Sequence, residues 1–361
     1  MTKSIRPILA FLLVLSILVL AGCQAPLKNM GQTVQSTAAA EATTAPETTI
    51  QTPPATVYPV TVTDQLGRSV TLAQAPQRII SGYYISTSLL IALGLEDRLV
   101  GVEDKPGKRP IYQLSAPQLL DLPTVGTAKD FNLEAALALK PDLVILPVRL
   151  KEAIVTLEKL GIPVLGINPE NTGLLIETIE LTGQATGTEE RAQALVERSQ
   201  SLSEKAAALA AGQPPQRLYL GGNSDLLSTA GPKMYQSSLI TQAGAENVAA
   251  GITDTYWAKI SYEQLLAWQP DRIVLASDAV YTIESVLTDP ALQSLPAIQN
   301  QAVSQMPNQL EAWDSPVPSG VLGQLYLINL LYPDRYSSAD LAADVDAFYR
   351  DFYDFEAGFS A

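Results

Sequence analysis

Asn132-Leu-Glu-Ala-Ala-Leu-Ala-Leu-Lys-Pro-Asp-Leu-Val-Ile-Leu146 reads as a short helix that stops at a proline and feeds an apolar strand. Pro141 pushes the residue before it out of the helical region, so the helix Asn132–Leu139 must end there. Leu-Val-Ile-Leu then suits a strand buried on both faces, the kind found in parallel sheets. The same unit returns as Ser261-Tyr-Glu-Gln-Leu-Leu-Ala-Trp-Gln-Pro-Asp-Arg-Ile-Val-Leu275. Glu134 stands as far ahead of Pro141 as Glu263 does ahead of Pro270, so the two halves of the chain share a plan.

Around the first unit, apolar runs at Arg78–Ser81, Leu99–Glu103, Leu143–Leu146 and Val164–Ile167 alternate with helical patterns, one of them from Leu150 to Leu160. Around the second, Arg217–Gly221, Arg272–Ala276 and Ala302–Met306 restart the rhythm. Strand and helix in alternation predict an α/β fold of two Rossmann-like lobes with parallel, doubly wound sheets. A β-rich pair of arms about Asp64-Gln-Leu-Gly67 predicts a leading hairpin, with Gly67 at positive φ. Between the lobes, 174–187 and 188–211 are rich in Ala, Leu, Glu, Gln and Arg, a strongly helical composition. The second stretch, started by Thr188 and stopped by Gly212, would reach roughly 36 Å as one rigid connecting helix.

The chain has 361 residues, a net charge of -14, one cysteine and no histidine. That acidity excludes nucleic-acid binding, which needs basic patches. The absence of histidine removes Ser-His-Asp and Cys-His catalysis and the common zinc sites. The single Cys23 excludes an internal disulfide, so burial must hold the fold together. Ahead of Cys23, Lys3 and Arg6 precede an apolar run to Ala21, too short for the roughly 20 residues of a spanning helix. Leu20-Ala-Gly-Cys23 resembles the bacterial lipobox, which implies a signal peptide over 1–22 and a lipid-modified Cys23. From there to 56 the Thr, Ala, Pro and Glu composition cannot bury a core and reads as a tether with a reach on the order of 30 Å. The expected lobes are then 57–173 and 213–361, with 174–212 as the connecting helical segment.

Several stretches resemble one family in order and spacing. They are Val62-Thr-Asp-Gln-Leu-Gly-Arg, Pro76-Gln-Arg-Ile-Ile-Ser, Asn132-Leu-Glu with Lys140-Pro-Asp-Leu-Val, Ala243-Gly-Ala-Glu-Asn-Val-Ala and Leu331-Tyr-Pro-Asp-Arg-Tyr. Together they are similar to the solute-binding proteins of ABC importers that carry cobalamin, ferric siderophores or haem. The resemblance implies two lobes joined by a rigid helix, a ligand in the cleft, and a permease that docks on one glutamate per lobe, here Glu134 and Glu263.

Ligands of open α/β sheets lie beyond the carboxyl ends of the strands. That rule selects Tyr83, Tyr84, Asp104, Lys105 and Arg149 in the first half. In the second it selects Asn223, Ser224, Ser277, Asp278 and the segment 310–315 with Trp313. The resemblance adds the loops with Lys129 and with Tyr256, Trp257 and Lys259. Aromatic faces suit a bulky chelate and cations suit an anionic rim, whereas Trp268 belongs to a core. Tyr83, Tyr84 or Tyr256 could instead ligate haem iron directly.

The expected function is a monomeric, non-enzymatic lipoprotein on the extracytoplasmic face of the cell membrane. It would capture a chelated metal, a ferric siderophore or similar iron complex, without a cofactor or metal site of its own. A corrinoid or haem is the alternative within the class. A carboxylate-dependent enzyme on a chelatase-like fold is the alternative outside it, and would show a buried carboxylate pair in the cleft. A surface interaction protein would show no ligand-sized cleft.

Overall fold

The computed structural model describes residues 56–253 and 256–360, so Cys23, the expected signal peptide and nearly all of the expected tether lie outside the described residues. The chain first forms the hairpin β1 (Val60–Thr63) and β2 (Ser69–Leu72), antiparallel, with Gly67 at φ +75° in the turn. Buried Asp64 fastens this hairpin. Its carboxylate accepts the amides of Leu66, Arg68 and Gly166 and pairs with the Arg68 guanidinium.

The first sheet contains β3 (Ile79–Ser81), β4 (Leu99–Gly101), β5 (Leu143–Pro147) and β6 (Val164–Ile167), in the order β4-β3-β5-β6 and wholly parallel. Its crossovers carry α1 (Tyr84–Ala92), α2 (Pro110–Ser115), α3 (Leu133–Ala138) and α4 (Lys151–Lys159). All of β5 is buried, as its apolar run requires.

Two helices follow, α5 (Thr172–Thr186) and α6 (Glu189–Ala210), joined by a tight turn at Gly187 with φ +73°. They cross so closely that a Cβ on Gly183 would lie 2.5 Å from that of Ala192. The connector is thus a helical hairpin whose long arm, α6, is the expected rigid helix of about 33 Å. Arg191 ties that arm to the first lobe through the carbonyl of Ala92, and Ser203 ties it to the second through Gln324.

The second sheet is built from β7 (Arg217–Gly221), β8 (Ser228–Ala230), β9 (Glu246–Asn247), β10 (Trp257–Lys259), β11 (Arg272–Leu275) and β12 (Val303–Gln305). The associated helices are α7 (Tyr235–Gln242), α8 (Tyr262–Trp268), α9 (Ile283–Leu287), α10 (Pro296–Gln299), α11 (Val321–Leu331) and α12 (Ser338–Tyr353). Here the expectation of a parallel sheet needs correction. The order β10-β8-β7-β11-β12 is parallel across β7, β11 and β12 but antiparallel at β8 and β10, so the sheet is mixed. β10 sits within a stretch that reads as a loop, and β8 in one where the sequence suggests no element.

The repeated Pro-Asp unit has a mechanical explanation. The Asp142 carboxylate accepts the amides of Gln77 and Arg78 at 2.8 Å, while its own amide donates to Arg78. Asp271 does the same with Arg217 at the head of β7. Each Pro-Asp therefore stops a helix and clamps the next strand to its parallel neighbour. The residues before the prolines, Lys140 and Gln269, both take positive φ.

The last helix does not stay with the second lobe. The Tyr353 hydroxyl hydrogen-bonds Ser88 of α1 at 2.9 Å, and its carbonyl accepts from Ser115 of α2. An aromatic face of Phe348, Tyr349, Phe352 and Tyr353 thereby joins a core shared by both halves.

Candidate functional site

The carboxyl ends of the first sheet place two adjacent tyrosines at the start of α1. Their rings meet edge to face at 5.2 Å. Each carries a guanidinium: Arg149 lies 5.1 Å from the Tyr83 ring and Arg109 lies 4.2 Å from the Tyr84 ring. Arg149 is held in place by its Nε donating to the Ala128 carbonyl at 3.0 Å. Burial pushes both phenol pKa values up, and the neighbouring guanidiniums offset this only in part. Both rings therefore stay protonated near neutrality.

The Tyr84 hydroxyl donates to Ser315 Oγ at 3.1 Å, bridging the first sheet's residues to the segment after β12. Beside that bridge is a cavity of about 150 Å³. Tyr84, Lys108, Arg109 and Tyr112 line one side, and Asp278, Asn308 and Glu311 line the other. Three carboxyls lie in or behind its walls. Glu103 accepts from Thr87 and Tyr112 at 2.6 Å, Glu311 from Ser319 at 2.5 Å, and Asp314 from the Ser277 amide and hydroxyl. Burial raises all three pKa values against the lowering effect of those bonds. Arg109 faces both Glu103 and Glu311 yet forms no ion pair among the described residues. Its guanidinium, stacked on Tyr84, lines the cavity.

The remaining sequence candidates spread around this centre. Lys129 and Arg149 share a more open hollow of about 600 Å³ with Phe131 and Lys151. Lys105 is exposed, holds a positive φ and lines neither cavity. Asn223 is exposed, and its carbonyl accepts the Val280 amide at 3.0 Å. Tyr256 and Trp257 are 48% and 38% exposed, and the Trp257 ring covers Gly222, where a Cβ would come within 2.9 Å.

Trp313 is a correction. It is 1% exposed, its Nε1 donates to the Tyr349 hydroxyl at 3.0 Å, and its ring stacks near Phe359. The returning α12 buries it in the core, away from the cleft surface. Trp268, by contrast, packs near Tyr219 in the second core, as its place in the repeated helix implies.

Glu134 and Glu263 occupy equivalent exposed positions in the first turns of α3 and α8. Asn132 caps one helix by accepting from Ala135, and Ser261 caps the other by accepting from Gln264. Neither glutamate lines the interlobe cavity. No group of three metal-ligating side chains occurs among the described residues. The sequence reading missed Arg109, Lys108 and Tyr112, while its segment 310–315 already held Ser315. The basic run Lys105-Pro-Gly-Lys-Arg-Pro110 just after Glu103 is the signal that pointed to the first two.

Comparisons with known proteins agree with this geometry. The profile of the periplasmic binding protein family matches residues 79–310. The molybdate-binding protein MolA of Haemophilus influenzae is 28% identical over 323 residues, covering 81% of this chain and 90% of that one. The vitamin B12-binding protein of Salmonella typhimurium is 30% identical over 210 residues, covering 57% and 74%. An uncharacterized ABC transporter substrate-binding lipoprotein of Bacillus subtilis, YvrC, is 28% identical over 227 residues, covering 60% and 69%. The solved structure of MolA bound to molybdate superposes with a TM-score of 0.70 at 25% identity, covering 82% and 98%. Two α/β lobes, a cleft at their strand ends and a match across both sheets make this chain a member of the periplasmic binding protein family, the solute-binding class that serves ABC importers.

Proposed function

We propose that this protein is a lipid-anchored extracytoplasmic receptor that captures an anionic, chelated metal, such as a ferric siderophore, and delivers it to an ABC permease. The observation that carries the reading is the Tyr83–Tyr84 pair with one guanidinium stacked on each ring. Tyr83 is buried and Tyr84 only partly exposed, so the rings act as a fixed platform beneath two cations, which suits a chelate with an anionic periphery. Arg149, Lys129, Tyr256 and Trp257 would widen that surface around the cleft. Cys23 would provide the anchor, in keeping with a lipoprotein among the relatives. Glu134 and Glu263 would engage the permease. Two carboxyls line the cavity, Glu311 buried and Asp278 exposed, both from the second half of the chain, so a buried pair facing each other across a substrate lacks support.

A second reading has its own support. The enclosed cavity of about 150 Å³ is smaller than the roughly 300–1,000 Å³ of ordinary organic-ligand pockets. A tetrahedral oxyanion beside Arg109 would fit that size, and a relative matched over 90% of its length binds molybdate. Calorimetric titration with ferric siderophores, haem, a corrinoid and molybdate separates the two. Arg149→Ala should weaken chelate binding at least tenfold and leave molybdate unaffected if the chelate reading holds. Loss of molybdate binding in Arg109→Ala, with no chelate bound by the parent, would favour the oxyanion. Silence to the whole panel alongside a response to a sugar or peptide would remove both.

A further inference from the structure

A second cavity of about 480 Å³ lies among α5, α6, α7 and α11, lined by residues distinct from those of the interlobe cavity. We propose that it is a binding site for a small amphipathic amine, a hydrocarbon body seated between the connector and the second lobe with its ammonium at Glu204.

Its inner wall is apolar, formed by Leu175, Ile179, Leu239 and Val321, all buried. Its frame is fixed by hydrogen bonds. Thr172 donates to Gln242 Oε1 at 3.1 Å, Gln324 Nε2 to the Gln242 carbonyl at 2.9 Å, and Ser203 to Gln324 Oε1 at 3.0 Å. Four helices are therefore held apart around the space by a continuous polar chain, unlike a gap left by poor packing. Tyr235, 2% exposed, also lines it.

The charge of the site selects the ligand. Glu204 is its single charged lining residue, is exposed, and has no ion pair among the described residues. An apolar body matches the inner wall and a cation matches the mouth, whereas a carboxylate there would meet like charge. The volume falls within the roughly 300–1,000 Å³ typical of small-molecule sites.

The test titrates the full chain with 4-phenylbutylamine and, as a same-shaped anion, 4-phenylbutanoate. The amine should bind saturably and the anion at least threefold more weakly. Glu204→Lys should lower amine affinity by about twofold to fivefold, the range of an exposed ion pair. Ile179→Trp should fill the space and remove binding; should that variant fail to fold, the surface substitution Glu204→Lys decides alone. Equal affinity for the two probes, no saturable amine binding, or amine affinity unchanged in Glu204→Lys would overturn the proposal.

Discussion

Trp313 shows what a local reading of a residue leaves out. An aromatic in a loop beyond a strand looks like a ligand platform, and only the return of α12, 36 residues later, turns it into core. Trp313→Ala should therefore destabilise by about 3–5 kcal/mol, read from urea unfolding, with ligand affinity little changed. The buried carboxyls give a second prediction at this scale. Glu103, Glu311 and Asp314 have folded pKa values raised above their unfolded ones by burial. The folded state then holds more protons in the window above the ordinary carboxylate range, so their contribution to stability is full below that range and falls as pH rises through the raised values. Asp225, Glu263 and Asp340 are lowered by hydrogen bonds at the surface and act in the opposite sense. Comparison with Glu311→Gln isolates the buried term, because the amide cannot ionise. Denaturation across a pH series should show a flatter decline in the variant. An identical slope would mean that Glu311 does not titrate there.

Among elements, the repeated helix–Pro-Asp–strand unit was legible because proline and a buried apolar run act locally, within a dozen residues. What a proline cannot reveal is why aspartate follows it, and the clamp onto the neighbouring strand supplies the reason. Asp142→Ala should leave the Gln77 and Arg78 amides without their acceptor and cost about 1–3 kcal/mol, with Asp271→Ala costing less because it serves one amide. Thermal unfolding of the two variants checks the ranking. The strands β8 and β10 were illegible for the converse reason. Three residues carry too little alternation to be read, and their pairing is dictated by the long-range approach of Trp257 to Ala230. Arg109 escaped because a 3-10 turn over Pro106–Lys108 and the short helix α2 after it set its direction. The charge itself was visible in the sequence.

For the whole molecule, the two capped helices that present Glu134 and Glu263 give the most direct test of the proposed docking. Replacing both with Lys should leave ligand affinity within about twofold, since neither lines the cleft cavity, and surface changes away from a site usually move little. Uptake in vesicles that contain the permease should fall sharply, because like charges at an interface cost more than an absent partner. Normal transport by that variant would end the docking assignment.

The passage of α12 onto α1 and α2 has a consequence for how the protein is made. A chain emerges amino end first and its domains tend to fold in that order. Here the first lobe lacks the Tyr353 partner of Ser88 and Ser115 until α12 has been made. Closure of the first lobe should therefore lag until α12 has been made and docked, a useful delay for a polypeptide whose family works beyond the membrane.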